Sequence, residues 1–354
     1  MLSRASSVKQ LFRPTNVISL SRSVRHRSDG VKVVLVGGQS TLEVNLALML
    51  KKSNQFSEIC IYDSNTRNLK GICADLNTIH TPSTVTYRQG KHALEESLQN
   101  ANIVMILDQN LPPEESKKSP TPEALETMFF NLNAEFCSKV AEAYATICPG
   151  AILAVAAQPV NSMTPLIYSI ASKINHNVTI NRVVGFTLKD EIQANILLSK
   201  KLQKPINEVK VPLTGGSSKT TIIPLLSTVK EADTMSEDEI KNFIEELRRV
   251  KEKQLSAQSS PLSSASALYR FVSSLAMAFK GQEVYERSYV ACDLAPGCKF
   301  FVAKARFGPA GLQLVEPLPQ LSEYEQALFQ SAIFHLRIDL KRANDFVKNY
   351  SVDK

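Results

Sequence analysis

The sequence predicts an α/β fold, a doubly wound parallel sheet followed by a mixed α/β (α+β) second half. Three observations predict it. Val31–Val36 (VKVVLV) is a nearly continuous apolar run, as a parallel strand covered on both faces requires. Short apolar runs then alternate with helical patterns as far as residue 157. Beyond that point, capped amphipathic helices surround an extended stretch punctuated by Gly and Pro.

Taken in order, residues 42–50 read as a helix and 59–62 as a second strand. Strand-like runs follow at 85–87, 103–107 and 151–157, with a helical stretch over Pro122–Ile147 between the last two. Ser236 with Glu239 makes a capping box ahead of Ile240, Phe243, Ile244, Leu247 and Val250, one face of a helix. Ser322 with Glu325 does the same before Phe329, Ile333, Leu336 and Leu340. Residues 289–314 predict a small antiparallel sheet, and 111–122, rich in Pro, Glu, Lys and Ser, an exposed flexible loop.

The 354 residues are comfortable for two domains, expected at 31–174 and 175–354. Apolar residues at 44% and charged residues at 21% match an ordinary globular chain. The first 30 residues differ in kind. Arg4, Lys9, Arg13, Arg22, Arg25 and Arg27 face a single acid, Asp29, and Leu2, Ala5, Val8, Leu11 and Phe12 recur at helical spacing. A basic, Ser-rich, amphipathic start predicts a mitochondrial transit peptide over 1–30 and a matrix location. A basic tail for nucleic acid or anionic lipid is the other reading these residues permit. The leader carries +5 of the formal +7, leaving +2 for the rest, so no nucleic-acid partner is expected. No run of apolar residues is long enough to span a membrane, and no membrane partner is expected. Six cysteines in no ligand spacing predict reduced thiols and no metal site.

Gly37-Gly38 follows the first strand and leads into a helix, and Asp63 ends the second strand. Such glycines let a pyrophosphate approach a helix N-terminus, and such an acid accepts ribose hydroxyls. An Asp at a strand end is also an ordinary turn residue. Five segments add specificity: 71–81 (GICADLNTIHT), 130–133 (FNLN), 159–162 (PVNS), 182–185 (RVVG) and 215–225 (GGSSKTTIIPL). In order and spacing they resemble the mitochondrial malate dehydrogenases of the lactate/malate dehydrogenase family, and the resemblance runs over essentially all of residues 31–350.

The resemblance implies a Rossmann-type domain, a mixed α/β substrate domain and a dimer. The dimer would form with a second copy or with an active malate dehydrogenase, through the helix around 74–79. It also implies NAD as cofactor and hydride transfer from malate, with a His as base, an Asp orienting it, and three Arg gripping carboxylates. Carried over residue by residue, most of that chemistry is absent. The phosphate loop, G-x-x-G-x-x-G in the family, keeps Gly37 but has Ser40 and Glu43 at the later glycine positions. A carboxylate about 4 Å from a phosphate repels it by about 1–4 kcal/mol. Asp63 and Asn133 match the family's cofactor contacts, so NAD binding is expected to be possible but weakened.

The arginine positions hold Pro120, Glu126 and Gln193, and the substrate-binding Asn position holds Gln158. Ser217 stands where the family has its catalytic His, leaving Asp190 as an orienting acid without its imidazole. None of His26, His80, His92, His176 and His335 falls at a position that would face the hydroxyl carbon; Lys219 is the nearby substitute to consider. Loss of a general base costs roughly 10²–10⁴ in rate. The expectation is therefore a catalytically inactive, dimeric paralogue acting as a binding, regulatory or structural partner. Residual oxidation of malate by NAD, as in the tricarboxylic acid cycle, is the alternative.

Overall fold

The structure is a computed structural model that describes residues 30–351 apart from 38–39, 65–68, 113–120 and 258–260. The expected leader before Gly30 and most of the expected loop at 111–122 therefore lie outside the described residues.

Chain order in the first half is β1 (Val31–Val36), α1 (Ser40–Lys52), β2 (Phe56–Asp63), α2 (Leu69–Asn77), β3 (Thr84–Gln89), α3 (Leu94–Leu98), β4 (Ile103–Ile106), α4 (Pro122–Ile147), β5 (Ile152–Val155) and α5 (Val160–Ile174). Then come β6 (Val183–Gly185), α6 (Leu188–Leu202), β7 (Leu213–Gly215), β8 (Ile222–Pro224), α7 (Glu237–Ala257) and α8 (Pro261–Phe279). β9 (Val284–Ala295), β10 (Cys298–Gly308), β11 (Gly311–Val315) and α9 (Glu323–Asn349) complete the chain.

Strands β3-β2-β1-β4-β5-β6 form a parallel sheet in that spatial order, with the reversal of direction between β1 and β4 that makes a crevice at the strands' carboxyl ends. Side chains of β1 explain why its sequence is apolar throughout. Val33 and Leu35 enter the core beneath α1, α2 and α8, while Val34 and Val36 enter the core beneath α3, α4 and α5. A third core joins α6, α7 and α9 through Leu198, Phe243, Leu247, Phe300 and Leu336.

The expected antiparallel sheet is present as β9, β10 and β11, but it is not separate. β9 pairs with β6 at Gly185 and Tyr289, so one 11-stranded sheet runs through both halves. Gly185 permits that junction: a Cβ there would lie 2.8 Å from Thr164 Oγ1 and from Tyr289 Cβ. Both predicted capping boxes form. Ser236 and Glu239 exchange hydrogen bonds ahead of α7, and Ser322 and Glu325 do so at α9. The six cysteines are free thiols. Among the described residues no helix is long and apolar enough to cross a membrane.

Candidate functional site

The crevice at the ends of β1, β2 and β4 holds the predicted nucleotide residues. Gly37 turns the chain out of β1 at φ +78°, its N–H donating to Tyr62 O at 3.1 Å. Asp63 at the end of β2 is fully buried. Its Oδ1 accepts a 3.0 Å hydrogen bond from Nε2 of Gln109, a buried residue just after β4. The same side chain lies over the turn, so a Cβ on Gly37 would be 3.3 Å from Gln109 Oε1. Asn133, on α4, spends its amide on the loop after β4. Its Oδ1 accepts from the N–H groups of Gln109 and Asn110, and its Nδ2 donates to Asn110 O and Phe129 O.

The two degenerate glycine positions fall at the start of α1. Ser40 opens the helix, with its side chain outside the described residues. Glu43 is fully buried, and its charge adds to the rise of the Cys73 thiol on α2, which burial chiefly pushes up to about 11. Gly37 and Asp63 are placed as a dinucleotide would need them, and Gln109 occupies Oδ1 of the acid.

Asp190 and Ser217, the positions expected to have carried the catalytic pair, meet at a second place. Asp190 sits in the first turn of α6, and Ser217 in the turn between β7 and β8. The Ser217 hydroxyl donates to Asp190 Oδ2 at 2.6 Å. The third member is Lys251, from the last turns of α7, whose ammonium donates to Asp190 Oδ1 at 2.6 Å and to Ser217 Oγ at 3.0 Å. Side chains of Asp190 and Lys251 are 4% and 16% exposed, so this ion pair is largely desolvated. Lys219 does not enter: it pairs with Glu252 at 2.8 Å on the outer side of α7. Lys219, the nearby substitute considered from the sequence, thus pairs away from Ser217, and the lysine that reaches the Ser217 hydroxyl is Lys251.

Around this triad runs a network of polar groups. The Ser217 N–H donates to Asn161 Oδ1, and Asn161 Nδ2 donates to Thr221 Oγ1 and to Asp339 Oδ2. Arg342 on α9 donates to Asp339 Oδ1 and Ser162 Oγ. Glu126, which the family resemblance aligned with an arginine, has its carboxyl pushed up to about 7 by burial, with Asp339 adding to the rise and Arg342 and Lys251 opposing it. Gln158 donates from its N–H to Asp108 Oδ1 at 2.7 Å and from its side-chain Nε2 to Ala156 O at 3.5 Å, while burial lifts the Asp108 carboxyl to about 7. Lys189, beside Asp190, is lowered to about 8 by burial and then by Lys251. Gln193 lies half-buried on α6, and Pro120 falls outside the described residues. Among the described residues no cluster of His, Cys, Asp and Glu could hold a metal.

Lys251, Arg342 and Gln109 escaped the sequence reading, and two of them left a signal. Residues 240, 244, 247 and 251 follow one helical face, so Lys251 extends the buried stripe of α7 with a charge. Asp339 interrupts the buried stripe of α9 in the same way, and Arg342 lies one turn on to meet it.

Comparison with known proteins bears directly on this arrangement. Residues 31–185 match the family described as lactate/malate dehydrogenase, NAD binding domain, and residues 187–347 match lactate/malate dehydrogenase, alpha/beta C-terminal domain. The mitochondrial malate dehydrogenase of Caenorhabditis elegans is 30% identical over 330 residues, covering 92% of this chain and 94% of the relative. The chloroplastic malate dehydrogenase of Arabidopsis thaliana is 32% identical, covering 89% of this chain and 76% of that one. Among solved structures, malate dehydrogenase from Plasmodium falciparum superposes with a TM-score of 0.72 at 18% identity, covering 90% of this chain and 99% of the other, and shares the fold. With both halves of the family matched in order along one chain, the protein belongs to the lactate/malate dehydrogenase family.

Proposed function

We propose that this chain is a malate-dehydrogenase-like protein that no longer turns over malate and acts through binding. The observation that carries the reading is the Asp190–Lys251–Ser217 cluster. In the family the orienting acid serves an imidazole, whereas here it is neutralised by an ammonium inside the protein. None of the three positions that align with the family's arginines holds one, and Glu126 puts a carboxyl at one of them. The protein would act in the mitochondrial matrix as a dimer, with itself or with an active relative. The outer face of α2, with Ala74, Asp75 and Asn77 exposed, leaves a surface for that contact. NAD would bind weakly, since it must displace Gln109 from Asp63.

A second reading is favoured by one observation: Lys251 Nζ is 3.0 Å from the hydroxyl that replaces the imidazole. An ammonium there could give a proton to a carbonyl oxygen as hydride arrives at the carbon, which would leave a slow NAD-dependent oxidoreductase. Steady-state assay of purified chain with malate and NAD, and with oxaloacetate and NADH, separates the readings. The first expects no turnover above background. Turnover near that of ordinary relatives would overturn it, and a slow rate abolished by Lys251→Met would establish the second.

A further inference from the structure

A groove lined by none of the residues of either cleft runs between α5, α9 and the turn joining β9 to β10. Its volume is about 460 Å³, within the roughly 300–1,000 Å³ typical of small-molecule sites. Lys299, Arg337, Lys341 and Lys348 line it, with Asp345 as the one acid of the lining. That concentration is unusual for this molecule. Outside the leader the formal charge is only +2, so a net +3 in one groove leaves the remaining surface slightly acidic.

Two of the cations are held in place rather than free to wander. Lys299 Nζ lies 4.6 Å from the ring centroid of Tyr168, which forms part of the wall. Arg337 donates from Nη2 to Pro296 O at 2.8 Å. Its guanidinium packs on Gly297, where a Cβ would come within 3.1 Å of Nε and Nη2 and where φ is +75°. The left-handed backbone of Gly297 favours glycine at that turn, and the missing Cβ leaves the guanidinium room to pack there. Among the described residues Lys299, Arg337 and Lys341 have no carboxylate partner, and Lys348 has only a 3.6 Å pair with exposed Asp345.

We propose that this groove binds a small polyanion carrying two or more phosphate or carboxylate groups. Several fixed positive charges around a concave wall raise the local concentration of such a ligand, and a guanidinium adds bidentate donation. The reading is independent of whether the old active site turns over. Phe334 and Ile338 stand exposed on the neighbouring flank of α9, so a lipid headgroup is the alternative source of the same chemistry.

Calorimetric titration of the full chain with inorganic pyrophosphate, at ionic strength held constant with sodium chloride, tests the proposal. Saturable binding is expected, weakened about tenfold or more by Arg337→Gln, by Lys341→Gln and by Lys299→Gln. Lys139→Gln, at an exposed position on α4, should leave the affinity unchanged. Because all four positions are exposed, unaltered circular dichroism will show that the variants fold. Absence of saturable binding, equal weakening by Lys139→Gln, or binding to phosphatidylglycerol vesicles without binding to free pyrophosphate would overturn it.

Discussion

The crevice at the ends of β1, β2 and β4 and the cluster at the start of α6 each hold one acid that the family resemblance singled out, and each acid accepts from a different kind of neighbour. Asp63 accepts from the neutral amide of Gln109 at 3.0 Å, while Asp190 accepts from the ammonium of Lys251 at 2.6 Å and from Ser217. The chemical difference decides how reversible each closure is. An incoming ribose hydroxyl could replace the Gln109 amide bond for bond, with one side-chain rotation and no change of charge. Displacing Lys251 would leave a buried carboxylate uncompensated. Losing one partner of a buried ion pair costs about 3–5 kcal/mol. The nucleotide side is thus latched, and the substrate side is locked. In the second site the charge of Asp190 is balanced by Lys251 from α7.

The largest effect should come from cutting that lock. Lys251→Met is expected to lower the unfolding free energy by about 3 kcal/mol, toward the lower end of the range because the ammonium keeps some contact with solvent. Chemical denaturation read by circular dichroism measures it. Adding Asp190→Asn to Lys251→Met should recover most of the loss, since neither charge of the pair then remains. If the single variant unfolds at the parent's midpoint, the pair is not structural and the contrast between the two clefts collapses.

A smaller effect is expected on the nucleotide side. Gln109→Gly uncovers Asp63 and empties the space over Gly37. We expect NADH to bind about tenfold more tightly, equivalent to about 1.4 kcal/mol, in a fluorescence titration. No gain would mean that the latch is not the barrier. The start of α1, where Ser40 and Glu43 replace glycines, would then be the limiting feature.

How much of this was legible in the sequence follows from the range of the interactions. β1 and α4 have the boundaries that their residues predict. The first is a strand buried on both faces, and the second begins at Pro122 behind the capping hydroxyl of Thr121. β2 starts three residues before its apolar run, because Ser57 and Glu58 lie at its polar end, where Glu58 accepts from Thr86. The continuity of the sheet was not legible, since it depends on one close approach at Gly185 between elements about a hundred residues apart. Asp190 and Ser217 were found by position in a family pattern. Lys251 and Gln109 were not, because their contacts span 61 and 46 residues and neither lies in a motif. A charge set on the buried face of an amphipathic helix was the available clue for Lys251.

The smallest expected effect is at Lys219, and it tests where the pocket ends. Lys219 and Glu252 are each about one-third exposed, so their 2.8 Å pair is a solvent-screened one. Such pairs contribute about 0–1 kcal/mol, and Lys219→Ala should change stability by less than about 0.5 kcal/mol. The reason lies in α7. Lys251 and Glu252 are successive residues, turned about 100° from each other around the helix axis. One therefore reaches Asp190 inside while the other reaches Lys219 outside. A loss above about 1 kcal/mol in Lys219→Ala, measured by the same denaturation, would place the outer pair in the Asp190 network after all. Lys251 would then be one member of a chain of charges leading to solvent, and the substrate side would be less firmly closed than its buried pair implies.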